Sequence, residues 1–331
     1  MNSRNTLITV LVSVIVFALT VLVGLSVSNM TNVVPKEETG STRQEGSGEP
    51  LDESESESES VGEESSSEAP AVPVRSDTLR VLTNEEIESI RSSRSGETKS
   101  YQCSAARNEN GNPVDAVLFE ARFREAFGDG VSVRNGSGRV SLTFVLTKEY
   151  DSNTTYLLNT LKEKDVRAVF YVDSEYALDN PGIIERIINE GHELGSIGYE
   201  LPSTGFSSLT LNEQAHQLAE LHSYVYERYG VPMDRFFYFD SNYTDQSIAL
   251  LNASNYRVTF YTVNYADYSH DALIVASDFL TAMQERLHPG AIYSFHTTNT
   301  ATLVVVPALI DHIRLSGYEI ALPDDSSLLS D

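Results

Sequence analysis

Val140-Ser-Leu-Thr-Phe-Val-Leu-Thr147 and, further along, Gly191-His-Glu-Leu-Gly-Ser-Ile-Gly-Tyr-Glu-Leu-Pro202 decide how this chain is read. The first reads as a strand from Arg139 to Leu146, and the second opens on a strand from Glu193 to Ser196. Between them lie Thr154 to Lys164, with apolar residues at Leu157, Leu158 and Leu161 as in a helix. A short buried strand, Arg167 to Val172, follows. Next comes a helix from Pro181 to Asn189, which has Pro in its first turn and stops before Gly191. The unit is therefore strand, helix, strand, helix, strand.

The same alternation continues outward. Downstream we expect a helix over Leu211 to Tyr229, ended by Gly230 and Pro232, and a strand over Arg235 to Phe239. Then come a helix over Asp245 to Ser254, a strand over Tyr256 to Val263 and a helix over Ala276 to Leu287. A strand over Ala291 to His296, a helix over Val304 to Ser316 and a last strand over Tyr318 to Leu322 complete the series. Upstream, Val131 to Val133, Asn135-Gly136 and Arg139 to Leu146 read as strand, turn, strand. Val114 to Phe127 carries both helix and strand cues, Ser95 to Pro113 is polar and turn-rich, and Thr83-Asn-Glu-Glu86 is a capping box opening a short helix.

Alternating strands and helices with short connections imply parallel strands joined by right-handed crossovers. The expected fold class is α/β, a small or incomplete (β/α) barrel of about seven units, with its working face at the C-terminal ends of the strands. Val145, Leu146, Ile197, Leu201, Tyr238, Asp267 and His296 all end or follow a strand.

The quoted stretches resemble the NodB-type polysaccharide deacetylases, whose patterns are T-F-D-D-G and G-H-E-[IL]-G-N-H-[ST]-x-x-H-P. Thr143, Phe144, Gly191, His192, Glu193, Gly195 and Pro202 match those patterns, and Tyr199 falls within the second. Further pieces follow in order. Leu161-Lys-Glu-Lys-Asp-Val-Arg-Ala-Val-Phe-Tyr-Val172 is similar to L-K-x-x-G-V-x-A-T-F-F-V. Asn264 to Tyr268 is similar to D-x-x-D-W, and Pro289 to His296 to P-G-x-I-x-L-x-H.

The resemblance implies a mechanism. One Asp serves as base, and the second Asp with two His holds a divalent metal that polarises an acetamide and activates water. A late His protonates the leaving amine. Here the two aspartates fall at Val145 and Leu146, the two histidines at Ile197 and Leu201, and the orienting Arg near Tyr238. None of these side chains binds a cation. The candidate catalytic residues that survive are His296 and Asp267, read either as a general acid with its carboxylate partner or as a relic kept for packing. No metal ligand and no cofactor is expected. The alternative is a divalent cation such as zinc on a shifted set, Asp151, Glu200 and His296. Tyr199, Tyr238, Tyr265 and Tyr268 are candidate substrate-binding residues, because a ring with a polar tip suits stacking on sugars.

The remainder of the chain sets the context. Leu7 to Ser28 is an uncharged, Leu/Val/Ile-rich run of 22 residues, about the length a bilayer core requires. It is expected to be an uncleaved, single-pass anchor, with Arg4 on the cytoplasmic side and the C-terminal bulk extracellular. Residues 31–78 hold the Ser/Glu alternation Asp52 to Ser60; from Thr31 to Val74 two basic residues face twelve acids, so a self-repelling disordered stalk is expected. The expected organisation is an anchor at 1–30, a stalk at 31–78, a short helix and linker at 79–130 and the NodB-like domain at 131–331. A net charge of −25 argues against nucleic acid as a partner. Cys103 is the sole cysteine, so an internal disulfide is excluded. The expected function is a cell-envelope module that binds glycan or protein without catalysis, with an active deacetylase bearing a divergent site as the rival.

Overall fold

Three strands at the centre of the molecule are buried at every residue: Ser141–Leu146, Val169–Val172 and Glu193–Ser196. Strands inside a parallel sheet are covered on both faces, so they read as continuous apolar runs rather than as alternation. The computed structural model describes residues 79–199, 205–239 and 242–323, all within one compact unit, Val72–Asp331. The expected anchor and stalk lie outside the described residues.

Along the chain the elements are α1 (Asn84–Ser93), β1 (Lys99–Ser100), α2 (Val114–Phe127), β2 (Val131–Ser132) and β3 (Ser141–Leu146). Next are α3 (Asn153–Glu163), β4 (Val169–Val172), α4 (Ser174–Asp179), α5 (Pro181–Asn189), β5 (Glu193–Ser196) and α6 (Leu211–Tyr229). Then follow β6 (Phe236–Tyr238), β7 (Asn242–Tyr243), α7 (Asp245–Ala253), β8 (Arg257–Thr259) and β9 (Val263–Asn264). The series ends with α8 (Ala276–Glu285), β10 (Ile292–His296) and α9 (Ala301–Leu315). The stops and starts are local chemistry. Thr83 and Thr210 close capping boxes with Glu86 and Glu213 at the heads of α1 and α6, and Gly230, in the left-handed conformation at φ 69°, ends α6.

Eight strands form one sheet in the order β2-β8-β6-β5-β4-β3-β10-β9, parallel throughout. The sheet is strongly curled, for a simple reason. Thr259 pairs near one end of this order and Val263 near the other, yet four residues span at most about 14 Å. The two ends of the sheet are therefore close in space, and the fold is α/β with a parallel sheet curled into a partial barrel.

The curl separates two apolar clusters. Leu142, Phe144, Leu146, Phe170 and Val172 face outward with Leu157, Leu161, Ile184, Phe279 and Leu309 of the surrounding helices. Val145, Val169, Tyr171, Ile197, Tyr238 and Tyr261 belong to the second cluster. Alternate residues of β3 and β4 fall in opposite clusters, as the period-two geometry of a strand requires.

Three expectations are corrected, and one reading left open is resolved. Asn135-Gly136 does not turn one strand back on the other: β2 pairs with β8, while β3 lies between β4 and β10. Asn135 is instead buried, its amide nitrogen donating to Ser141 Oγ at 2.9 Å and to the Leu322 carbonyl at 3.1 Å. The single strand expected over Tyr256 to Val263 divides into β8 and β9, because the chain crosses there from one sheet end to the other. The last strand expected over Tyr318 to Leu322 reduces to one bridge, Ile320 beside Val140. Val114 to Phe127 is a helix, and Phe119, Phe123 and Phe127 line one side of it at i, i+4 spacing.

The segment 79–130, read from sequence as a short helix and linker, packs into the second cluster through Ile87, Tyr101, Ala116 and Phe123. Phe123 stacks on Phe260 with centroids 5.2 Å apart, Tyr101 donates its hydroxyl to the Tyr261 carbonyl, and β1 pairs antiparallel with β7.

Candidate functional site

The strand register assembles the site. His296 on β10 is the neighbour of Val145 on β3; Val145 is the neighbour of Tyr171 on β4; Tyr171 is the neighbour of Gly195 on β5. These four positions form one row near the C-terminal ends of the strands. Gly195 has to be glycine: a Cβ there would lie 2.7 Å from the Tyr171 ring and 2.9 Å from the Phe236 carbonyl oxygen. The missing side chain lets Tyr171 lie across the row, where it packs on Tyr238 with centroids 5.2 Å apart. Val145, Tyr171, Ile197 and Tyr238 are all buried and share the second cluster.

Tyr238 belongs to this interior plug. Ser294, two residues before His296, donates to its hydroxyl at 3.0 Å. Tyr199 and Tyr265 pack against the outer, helix-side cluster, with Tyr265 stacked on Phe279 at 4.2 Å. Tyr268 is 66% exposed and sits edge-on to His296 at 6.1 Å, so of the four tyrosines it is the one that offers a ring to solvent beside the histidine.

His296 and Asp267 come together. Asp267 is fully buried. Its Oδ1 accepts from His296 Nδ1 at 3.0 Å, and its Oδ2 accepts from the His296 backbone N–H at 3.0 Å and from the Thr302 hydroxyl at 3.1 Å. Its own carbonyl accepts from the Thr298 hydroxyl at 3.0 Å. A carboxylate can only accept, so Nδ1 carries the hydrogen and Nε2 is the ring nitrogen left for a ligand. The His296 side chain retains 16% of its accessible surface. Thr298, Thr302, Ser294 and Tyr171 were not singled out from sequence: their relation to the site depends on strand register and on where α9 begins.

The loop after β3 is held down by Glu149. Its carboxylate accepts from the Thr154 backbone N–H at 2.9 Å and from the Tyr176 hydroxyl at 2.6 Å. Beside this loop Tyr150 stacks on His270 with centroids 4.1 Å apart. Asp173, at the end of β4, accepts from the Tyr176 N–H at 2.8 Å, and burial raises its carboxyl to about 6. His192 donates no hydrogen from Nδ1, which accepts from the Ala168 N–H at 3.2 Å; burial lowers it to about 4.

The residues present do not fit the divalent cation that the resemblance implies. Val145, Leu146 and Ile197 carry no donor atom. Among the described residues no group of three His, Cys, Asp or Glu side chains is placed to hold a metal ion. Asp151 is exposed in a turn, and Glu200 and Leu201 lie outside the described residues. What the site offers chemically is one oriented imidazole beside one exposed phenol.

Residues 132–259 match the model of the family described as Polysaccharide deacetylase. The peptidoglycan-N-acetylmuramic acid deacetylase PdaA of Bacillus subtilis is 23% identical over 174 residues, which is 52% of this chain and 65% of that protein. The solved structure of PdaA, described as a family 4 carbohydrate esterase, superposes with a TM-score of 0.63 at 20% identity, over 72% of this chain and 100% of that one. A family 4 pseudoenzyme from Bacillus anthracis superposes with a TM-score of 0.52 at 19% identity, over 62% of this chain and 71% of that one. At these identities the superpositions speak for the fold.

Proposed function

We propose, on the premise that the chain carries a polysaccharide deacetylase-like domain, that this domain recognises cell-envelope glycan without deacetylating it. The observation that carries the reading is the plugged interior. At the positions of the base and of one metal-ligating His, Val145 and Ile197 fill the interior among apolar side chains, while the position of one metal-ligating Asp is Leu146, buried in the outer, helix-side cluster. Acyl transfer requires a group that meets the developing oxyanion. His296 supplies a proton donor at most, and Asp267 only orients it. Relatives supply the ligand class: PdaA is named for action on peptidoglycan, and one fold neighbour is described as a pseudoenzyme.

In this reading Tyr268 and His296 form the contact surface. The phenol ring offers an apolar face to the C–H face of a sugar, and His296 Nε2 hydrogen-bonds a sugar hydroxyl or acetamide. The uncharged run Leu7 to Ser28 anchors the chain in the membrane, with the domain outside. The full-length chain should then stay with membranes through a high-salt wash. It should co-sediment with purified peptidoglycan, and Tyr268→Ala should reduce the bound fraction several-fold while leaving the melting temperature unchanged. Equal binding by Tyr268→Ala and wild type would remove the mouth of the barrel as the contact surface.

A further inference from the structure

The loop between β3 and α3 is strained. Asp151 and Ser152 both take the left-handed conformation, at φ 48° and 63°. A residue with a Cβ adopts it at a cost, and two in succession persist only where their surroundings hold them. On the helix side the hold is Asn153, the first residue of α3. Its N–H donates to the Tyr150 carbonyl at 2.8 Å, and its amide nitrogen donates to the Thr297 carbonyl at 2.8 Å. On the strand side the hold is Tyr150. Its ring lies within 7° of parallel to the His270 imidazole, with centroids 4.1 Å apart, and the Lys148 ammonium stands 5.4 Å from the same ring's centroid.

His270 belongs to the loop 265–275, which carries Tyr268. Its Nδ1 lies 3.1 Å from the Thr298 carbonyl, and a carbonyl can only accept, so this nitrogen bears the hydrogen. The Thr298 hydroxyl holds the Asp267 carbonyl, and Asp267 orients His296. Asn299 donates to the Ser269 and Ala272 carbonyls, both at 2.9 Å. The segment after β10 therefore fastens this loop from one side, and the Tyr150 ring fastens it from the other. Tyr268, two residues before His270, is mostly exposed, so its place beside His296 depends on the loop rather than on burial.

We propose that the Tyr150–His270 stack is a latch that joins the strained loop to the loop 265–275 and presets Tyr268 and His296 for a glycan. Tyr150 and His270 are positioning residues and need not touch the sugar. With the latch closed, binding does not have to order a loop, which is a main cost of a flexible site. With it open, the loop 265–275 is freed, and Asp151 and Ser152 can relax. The effect on glycan rests on the glycan-binding reading above; the hold on the loop does not, and the test separates them. Hydrogen exchange of the full-length chain without ligand reports the latch directly. Tyr150→Leu, which loses the ring and stays apolar, should speed exchange across residues 268–272 about fivefold, the size of one lost ring pair. It should also lower the fraction bound to peptidoglycan several-fold, with the melting temperature unchanged. Tyr150→Phe, which keeps the ring, should match the wild type in both readouts. His270→Leu, at an exposed position, should reproduce Tyr150→Leu and replaces it should that variant not fold. Exchange at the wild-type rate in these leucine variants overturns the latch. Faster exchange with undiminished binding to peptidoglycan overturns the positioning role. Faster exchange in a chain whose wild type binds no peptidoglycan upholds the latch and overturns the glycan reading.

Discussion

His192 and His288 are buried, and burial lowers both to about 4. His288 is fixed by Thr262, whose hydroxyl lies 2.8 Å from Nε2. An unfolded histidine titrates near 6.5, so between about pH 6.5 and 4 the unfolded chain binds more protons than the folded one at these sites. Their contribution is complete above 6.5 and is lost as pH falls. Asp173 works in the opposite sense. Its folded carboxyl titrates at about 6, so it favours the folded state as pH falls from there toward 3.8. Two groups oppose one, and unfolding by urea should show a net loss on the order of 2 kcal/mol between pH 7 and pH 4.5. A flat profile in that window would mean that at most one of the two rings is held neutral in the folded chain, its loss offset by Asp173. At the same scale, the plug at Val145, Tyr171 and Ile197 works by shape. Val145 and Ile197 are buried there without a polar atom, and Gly195 makes room for the tyrosine ring.

At the scale of elements, α2 carries a structural role that its sequence pattern half hid. Phe123 is 1% exposed and touches Phe119, Phe127, Tyr243 and Phe260. Phe123→Ala should cost about 3–5 kcal/mol in denaturant unfolding, the range for removing a buried aromatic ring. A cost below about 1 kcal/mol would return residues 79–130 to the status of a linker. What the sequence made legible follows from this. Strands β3, β4 and β10 were readable because each is a short, largely apolar run between segments of helical periodicity, and β5, Glu193–Ser196, because it follows the helix stop at Gly191. The order of the strands was not readable, since parallel strands pair across long separations and Asn135-Gly136 carries the local signature of a hairpin without making one. The site was legible as a pair, His296 with Asp267, and as a set of substitutions at Val145, Leu146 and Ile197. Tyr171 over Gly195 was not, because only the register of β4 against β5 puts them side by side. The same limit applied to the tyrosines. Strand-end position alone does not separate Tyr268, which faces solvent, from Tyr238, which faces inward.

For the whole molecule, the partial barrel preserves the frame of a deacetylase-like domain while its interior holds apolar and aromatic side chains where the resemblance places metal chemistry. The acidic chain, at −25, directs the search for partners toward neutral or basic molecules and away from nucleic acid. The oriented His296 has no electrophile or base beside it to work with among the described residues. Acetate release from N-acetylated peptidoglycan fragments by the purified full-length chain, with zinc, cobalt or nickel added and withheld, tests it most directly. Release should stay at background in every condition, unchanged by His296→Ala. Metal-dependent release that His296→Ala abolishes would contradict it and establish an active site assembled from residues other than Val145, Leu146 and Ile197.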